Sequence, residues 1–164
     1  MTTMSTPPGN APIQPNAGMG LAIVRLTLGA MFVWVFFENL GKKLYTPGGY
    51  AGLINYYIPR THAPSLWKSV MAMAASHASI AAPLQGVTEI SLGVLLLLGL
   101  LTRPAALVAF AFLGSLWISE LGTSWVWELL VSVLAALSLA VGSAGRTWGV
   151  DAILARRNPS SLLW

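Results

Sequence analysis

From residue 19 to residue 40 the chain runs through apolar side chains almost without interruption, and a single arginine, Arg25, stands well inside the run. As a helix this stretch extends about 33 Å, enough to cross the hydrocarbon of a bilayer. Three further runs follow at about 84–101, 104–119 and 126–142. All four are continuous rather than alternating, and a helix satisfies its own backbone hydrogen bonds in lipid, so helices are expected and a barrel is not. Charged residues make up only 9% of the 164 residues and hydrophobic ones 55%, with a mean hydropathy of +0.70. A chain of that composition cannot cover itself with polar surface. The expected fold is an all-α polytopic membrane protein: a four-helix transmembrane bundle with a long connection between its first two spans.

Three segments are expected. Residues 1–18 contain no Lys or Arg and read as a flexible polar tail; 19–145 carry the four spans; 146–164 form a C-terminal interfacial helix and tail. Arg103 and Pro104 mark a short turn between the second and third spans, and a glycine-rich exit follows the fourth. The connection 41–83 is too long for an ordinary turn. It carries Pro47, Gly48, Gly49, Pro59 and Pro64, and its part 65–80 suits a helix lying at the lipid interface. Residues 150–157 read as a short amphipathic helix, with Asp151 early and Arg156 and Arg157 late. Four spans place both termini on one side. Lys42, Lys43, Arg60 and Lys68 on the connection balance Arg103, Arg146, Arg156 and Arg157 on the terminal side. The C-terminal basic residues flank a span more closely, so both termini are expected in the cytoplasm, with the protein in the cell's inner membrane.

Several chemistries are excluded by residue type. With no cysteine, the chain offers no disulfide, thiolate metal site or iron–sulfur ligand. The net charge of +4 comes without a dense basic cluster, which argues against nucleic acid. His62 and His77 both fall in the long connection with no ligand set around them, so no metal site is expected, and no span holds a histidine for a haem. No phosphate-binding glycine loop, dinucleotide fingerprint or nucleophile elbow is present.

Ionisable groups in apolar runs are the informative residues, because a charge in hydrocarbon is costly unless paired or hydrated. Helical spacing puts Arg25, Gly29, Phe32, Phe36 and Lys43 on one face of the first span, a face expected to point into the bundle. Glu89 in the second span is the natural counter-charge for Arg25 or for a lysine at the first span's end. Such a pair is either a device that fixes helix register or a ligand or proton site. Glu38, followed by Asn39, Lys42 and Lys43, makes either a polar pocket or an interfacial cluster. Glu120 and Glu128 bracket a turn where Trp117, Trp125 and Trp127 gather; this reads as an aromatic belt or as a place for a quinone headgroup stacked on an indole. Trp34, deep in the first span, reads as a packing residue or as a similar surface for a quinone headgroup.

The run Arg25-Leu26-Thr27-Leu28-Gly29, the exit Gly41-Lys42-Lys43-Leu44 with Gly48-Gly49-Tyr50-Ala51, then Glu89-Ile90-Ser91-Leu92-Gly93, Leu98-Gly99-Leu100-Leu101-Thr102-Arg103, and finally Gly145-Arg146 with Asp151 resemble the DoxX/DoxD-like integral membrane proteins. The resemblance implies a membrane subunit linked to quinone-coupled, thiosulfate:quinone-type oxidoreduction. The chain would have no intrinsic cofactor, quinone would be its bound substrate, and a redox protein subunit would be its electron-donating partner. Any enzymatic role would be that of a non-autonomous subunit. Carried onto this sequence, the family's polar positions are Arg25, Lys43, Glu89 and Arg103 as ligand or proton-site candidates, with Arg146 and Asp151 structural, Asp151 as a helix cap. An accessory structural subunit, a small transporter or proton path, and a homo-oligomer are also compatible with the pattern.

Overall fold

The computed structural model describes residues 15–158 together with Ser161 and Leu163. The assignment of residues 1–18 to a flexible tail lies outside the described residues for 1–14, and residues 15–18 belong instead to the first helix. Among the described residues seven α-helices follow in order: α1 Pro15–Gly41, α2 Pro47–Tyr57, α3 Ser65–Ser76, α4 Ala78–Leu98, α5 Thr102–Ser119, α6 Val126–Val141 and α7 Asp151–Arg157, with a 3-10 turn at Ala144–Arg146. No strand occurs among the described residues. Three helical stretches are long and apolar enough to cross a bilayer, Ala17–Gly41, Ala78–Leu98 and Thr102–Ser119; Val126–Val141 is apolar but shorter. The chain is an all-helical membrane protein.

The bundle is built from two tightly packed pairs, α1 with α4 and α5 with α6. At the α1–α4 crossing both backbones lack a side chain. A methyl group on Gly93 would come within 2.7 Å of Val33 Cγ2, and one on Gly29 within 2.9 Å of the Leu97 amide nitrogen. This is the small-residue contact by which helices approach in lipid. Between the pairs lies an apolar core of Leu28, Phe32, Leu92, Leu96, Ala106, Ala109, Val133, Ala136 and Leu139. Its alanines let α5 and α6 sit close together.

Several boundaries differ from the sequence reading: α1 begins at Pro15 rather than at 19, and Arg103 and Pro104, read as the turn between the second and third spans, belong to the first turn of α5, the turn itself being Gly99 to Leu101. The second span starts at Ala78 rather than near 84, because Pro83 sits in the second turn of α4. There the missing N–H forfeits only one early hydrogen bond. The helix expected over 65–80 is divided at His77, whose backbone (φ −108°, ψ 29°) ends α3 and starts α4. The long connection also contains α2, which begins with Pro47 in its first turn and is capped by Thr46, whose hydroxyl accepts from Gly49 N at 3.2 Å. Helices α2 and α3 pack on one another and against the first half of α4, and α3 also touches α5. They close one end of the bundle, tied to the α5–α6 turn by His62 N–H donating to Leu121 O at 2.7 Å.

Candidate functional site

The two ionisable residues expected to pair sit in different places. Arg25 is 0% exposed about three turns into α1, and because α4 runs antiparallel its neighbour is the C-terminal end of that helix. Its guanidinium donates to Leu96 O at 2.6 Å, Leu97 O at 3.2 Å, Trp148 O at 3.0 Å and Thr147 O at 3.3 Å. Helix C-termini leave carbonyls without partners, and a cation there also meets the negative end of the helix dipole. The close fit depends on Gly99, which takes φ +61° and would place a Cβ 2.5 Å from Arg25 Nη1. Asp151, also 0% exposed, caps a neighbouring helix rather than its own: its carboxylate oxygens accept from Leu101 N and Thr102 N, each at 2.8 Å, at the start of α5. Val150 N and Asp151 N donate back to Leu98 O and Gly99 O. Arg103 lies at the same end and donates to Ser143 Oγ at 2.7 Å. Arg146 belongs to the adjoining 3-10 turn and is exposed. This end is a knot of backbone and charged side chains that fixes the α4–α5 turn against the C-terminal segment.

Glu89, 1% exposed, faces the other half of the bundle. Gln85 Nε2 donates to its Oε1 at 2.8 Å, Asn39 Nδ2 donates to its Oε2 at 3.1 Å, and the Tyr45 hydroxyl donates to the same Oε2. The Tyr45 ring stacks on Phe36 with centroids 5.3 Å apart and lies over Gly86, where a methyl group would meet the ring at 3.1 Å. Burial, followed by the hydrogen bond and the charge of Glu89, pushes the Tyr45 hydroxyl well above the ordinary tyrosine range. It therefore stays a donor throughout the physiological range. Three donors meeting one buried carboxyl is the arrangement by which a membrane interior retains an acidic group.

Glu89 lines a cavity of about 300 Å³ between the two helix pairs. The walls are mostly apolar, including Leu28, Phe32, Val35, Phe112 and Leu116, and the polar lining is Asn39, Gln85, Glu89, Glu120, Glu128 and Ser132. Phe32 and Phe112 meet with ring centroids 6.0 Å apart. A second cavity of about 360 Å³ adjoins it beneath α2 and α3, lined by Tyr50, Tyr57, Trp67 and Ser119 among others. The two share Leu53, Gln85, Phe112, Leu116 and Glu120. Trp67 Nε1 donates to Ser119 Oγ at 2.9 Å in that wall, and Ser124 Oγ donates to Glu120 at 2.9 Å. Burial, and after it the charge of Glu120, raises the Tyr57 hydroxyl.

The other candidates separate clearly. Lys43 is exposed beyond the end of α1 with φ +58°, away from the face that helical spacing assigned to it, because α1 stops at Gly41. Glu38 pairs with Lys42 at 2.5 Å on the surface. Trp34 is 74% exposed and points outward, as do Trp125 and Trp127. Glu120, at the end of α5, and Glu128, in the first turn of α6, both line the Glu89 cavity. Sequence reasoning left out Tyr45, Gln85 and Ser132. Gln85 precedes Glu89 by one helical turn and Ser132 interrupts an apolar run, so both carried a local signal; Tyr45 reaches Glu89 through the chain's path alone and carried none.

An all-α membrane bundle with a buried carboxyl beside an apolar cavity defines a polytopic membrane protein with a candidate site for a lipophilic ligand. The DoxX family model matches residues 20–120, and the chain belongs to that family. The matched stretch contains Glu89 and its three donors but ends before Asp151, so the role of the C-terminal knot rests on the structure. No curated protein and no solved structure matches the chain.

Proposed function

We propose that the chain is the membrane subunit of a quinone-linked oxidoreductase, with the Glu89 cavity receiving the quinone headgroup and a separate redox protein supplying electrons. The carrying observation is the apolar cavity of about 300 Å³ with a fully buried, triply hydrogen-bonded carboxyl in its wall. Its size and lining suit a ring-shaped lipophilic ligand held by few polar groups, and Phe32 and Phe112 offer aromatic surface to a flat ring. Reduction of a quinone takes up two electrons and two protons. Glu89 is the proton-handling group in this reading, with Tyr45 fixing its orientation from outside the cavity. Arg25 has no part at the headgroup, since its donors serve carbonyls at the opposite end. We assign that end, with the chain's termini and Arg103, Arg146, Arg156 and Arg157, to the cytoplasmic side.

The test is mass spectrometry of the tagged protein extracted gently from its native membrane, reading both copurifying subunits and lipid-soluble ligands. Quinone at near-stoichiometric amount together with a redox subunit is expected, and Glu89→Gln should lower the quinone while leaving the subunit in place. Recovery of the protein without quinone and without a redox partner would refute the proposal.

A further inference from the structure

We propose that the Glu89 cavity holds the two-electron reduced, hydroxyl-bearing form of the quinone more tightly than the oxidised form. This rests on the quinone reading above and adds a preference between redox states. A quinone presents carbonyl oxygens, which only accept hydrogen bonds, whereas a quinol presents hydroxyls, which donate. The polar lining contains no Lys, Arg, His or Trp. The amide nitrogens of Asn39 and Gln85, which would serve a carbonyl ligand, are turned onto Glu89 at 3.1 and 2.8 Å. Glu89, Glu120 and Glu128 contribute carboxyl oxygens. A second observation points to a ligand independently of the carboxyls. Ser132 on α6 is 9% exposed and lines the same cavity, and among the described residues its hydroxyl has no hydrogen-bond partner. Ser138, further along the helix, bonds back to Leu134 O at 2.8 Å in the usual way. Lining the cavity without a protein partner, that hydroxyl is available to a ligand's polar atom.

A quinol can donate to a carboxyl oxygen on the α4 side and exchange a hydrogen bond with Ser132 on the α6 side. A quinone carbonyl set against the same carboxyl oxygens meets acceptor against acceptor, leaving both buried and unsatisfied. The cost of leaving a buried acceptor unsatisfied corresponds to a preference of about tenfold. That preference acts on the redox couple: for two electrons, each tenfold in relative affinity raises the potential of the bound quinone by about 30 mV. The bound quinone is thereby a stronger acceptor toward the redox partner. The reduction balances with two electrons from that partner and two protons from the aqueous side, as two C=O groups become C–OH and two O–H bonds form.

The experiment measures equilibrium binding of a decyl-substituted benzoquinone and of its quinol, kept reduced under argon, to the full chain in nanodiscs, corrected for partition into empty discs. The quinol is expected to bind about tenfold more tightly. Glu89→Gln should bring the ratio toward one, because an acceptor oxygen that favours the quinol is replaced by an amide nitrogen. Ser132→Ala should weaken quinol binding severalfold without moving the thermal midpoint, which keeps the test decisive if Glu89→Gln fails to fold. Binding of both forms with equal affinity, or tighter binding of the quinone, overturns this inference and leaves the quinone reading standing. Failure of both forms to bind beyond partition overturns the quinone reading and this inference with it.

Discussion

Asp151→Asn isolates a single feature of the terminal knot. The native carboxylate accepts from two backbone amides, Leu101 N and Thr102 N, both at 2.8 Å and with the side chain fully buried. Asparagine has nearly the same shape but one acceptor oxygen, so one of the two amides must face an N–H group instead. One charge-assisted hydrogen bond is lost, the other becomes neutral, and a buried donor is left unsatisfied. At about 1.5–3 kcal/mol for a bond to a charged group and about 1–3 kcal/mol for an orphaned donor, the expected loss is about 3 kcal/mol. For a chain of this size that corresponds to a fall in thermal midpoint of roughly 6–12 °C. The assay is thermal unfolding in nanodiscs, followed by tryptophan fluorescence and, separately, by hydrogen exchange of a peptide spanning the α4–α5 turn. The amides of Leu101 and Thr102 should exchange faster in the variant while those of mid-α4 do not. A midpoint within 1 °C of the native protein, with unchanged exchange at the turn, would show that these two bonds do not hold α5.

Two further outcomes follow from the packing and from the site. Gly93→Ala should destabilise the bundle by about 1–3 kcal/mol through overpacking, since its methyl would lie 2.7 Å from Val33 Cγ2 and 3.1 Å from Val33 N, whereas Gly114→Ala, with nothing within 4 Å, should be neutral or slightly stabilising; equal midpoints for the two variants would remove the close α1–α4 crossing. Because the Tyr45 hydroxyl is raised in the folded protein, its contribution to stability is complete below the ordinary tyrosine pKa of about 10 and is lost as pH rises beyond that toward the folded value. In an absorbance titration at alkaline pH, Tyr45→Phe should therefore leave the tyrosinate signal up to about pH 11 unchanged, and a proportionate loss of that signal would contradict the burial of Tyr45 against Glu89.

The helices that cross the membrane were legible because their signal is local: long uninterrupted apolar runs, with turns marked by glycine and proline. α2 was not, although Thr46 followed by Pro47 is a capping signal, because the two glycines after it read more strongly as a turn. The start of α4 was obscured by Pro83, which a helix accepts in its second turn when packing supports it; Ala78 and Ala82 are both buried there. Helical periodicity gave the correct inward face to Arg25 but no depth along the bundle. Arg25 lies level with Leu96 and Leu97 at the end of α4, and Glu89 sits about two turns back along that antiparallel helix, so their axial separation keeps them apart whatever their angular match. Glu89 itself was legible as a lone acid in an apolar run, whereas Tyr45, the group that orients it, comes from the connection and meets it only through tertiary folding.

The knot at the terminal end also constrains the order of assembly. Arg25 enters the membrane with the first helix to be synthesised, yet two of its four carbonyl partners, on Thr147 and Trp148, lie 122 and 123 residues further along the chain. During synthesis that guanidinium must keep water, lipid headgroups or a chaperoning surface until Thr147 and Trp148 have emerged. The first helix is thus inserted early and completed last, and a chain truncated before residue 147 would carry a first span whose buried charge has lost half of its carbonyl partners.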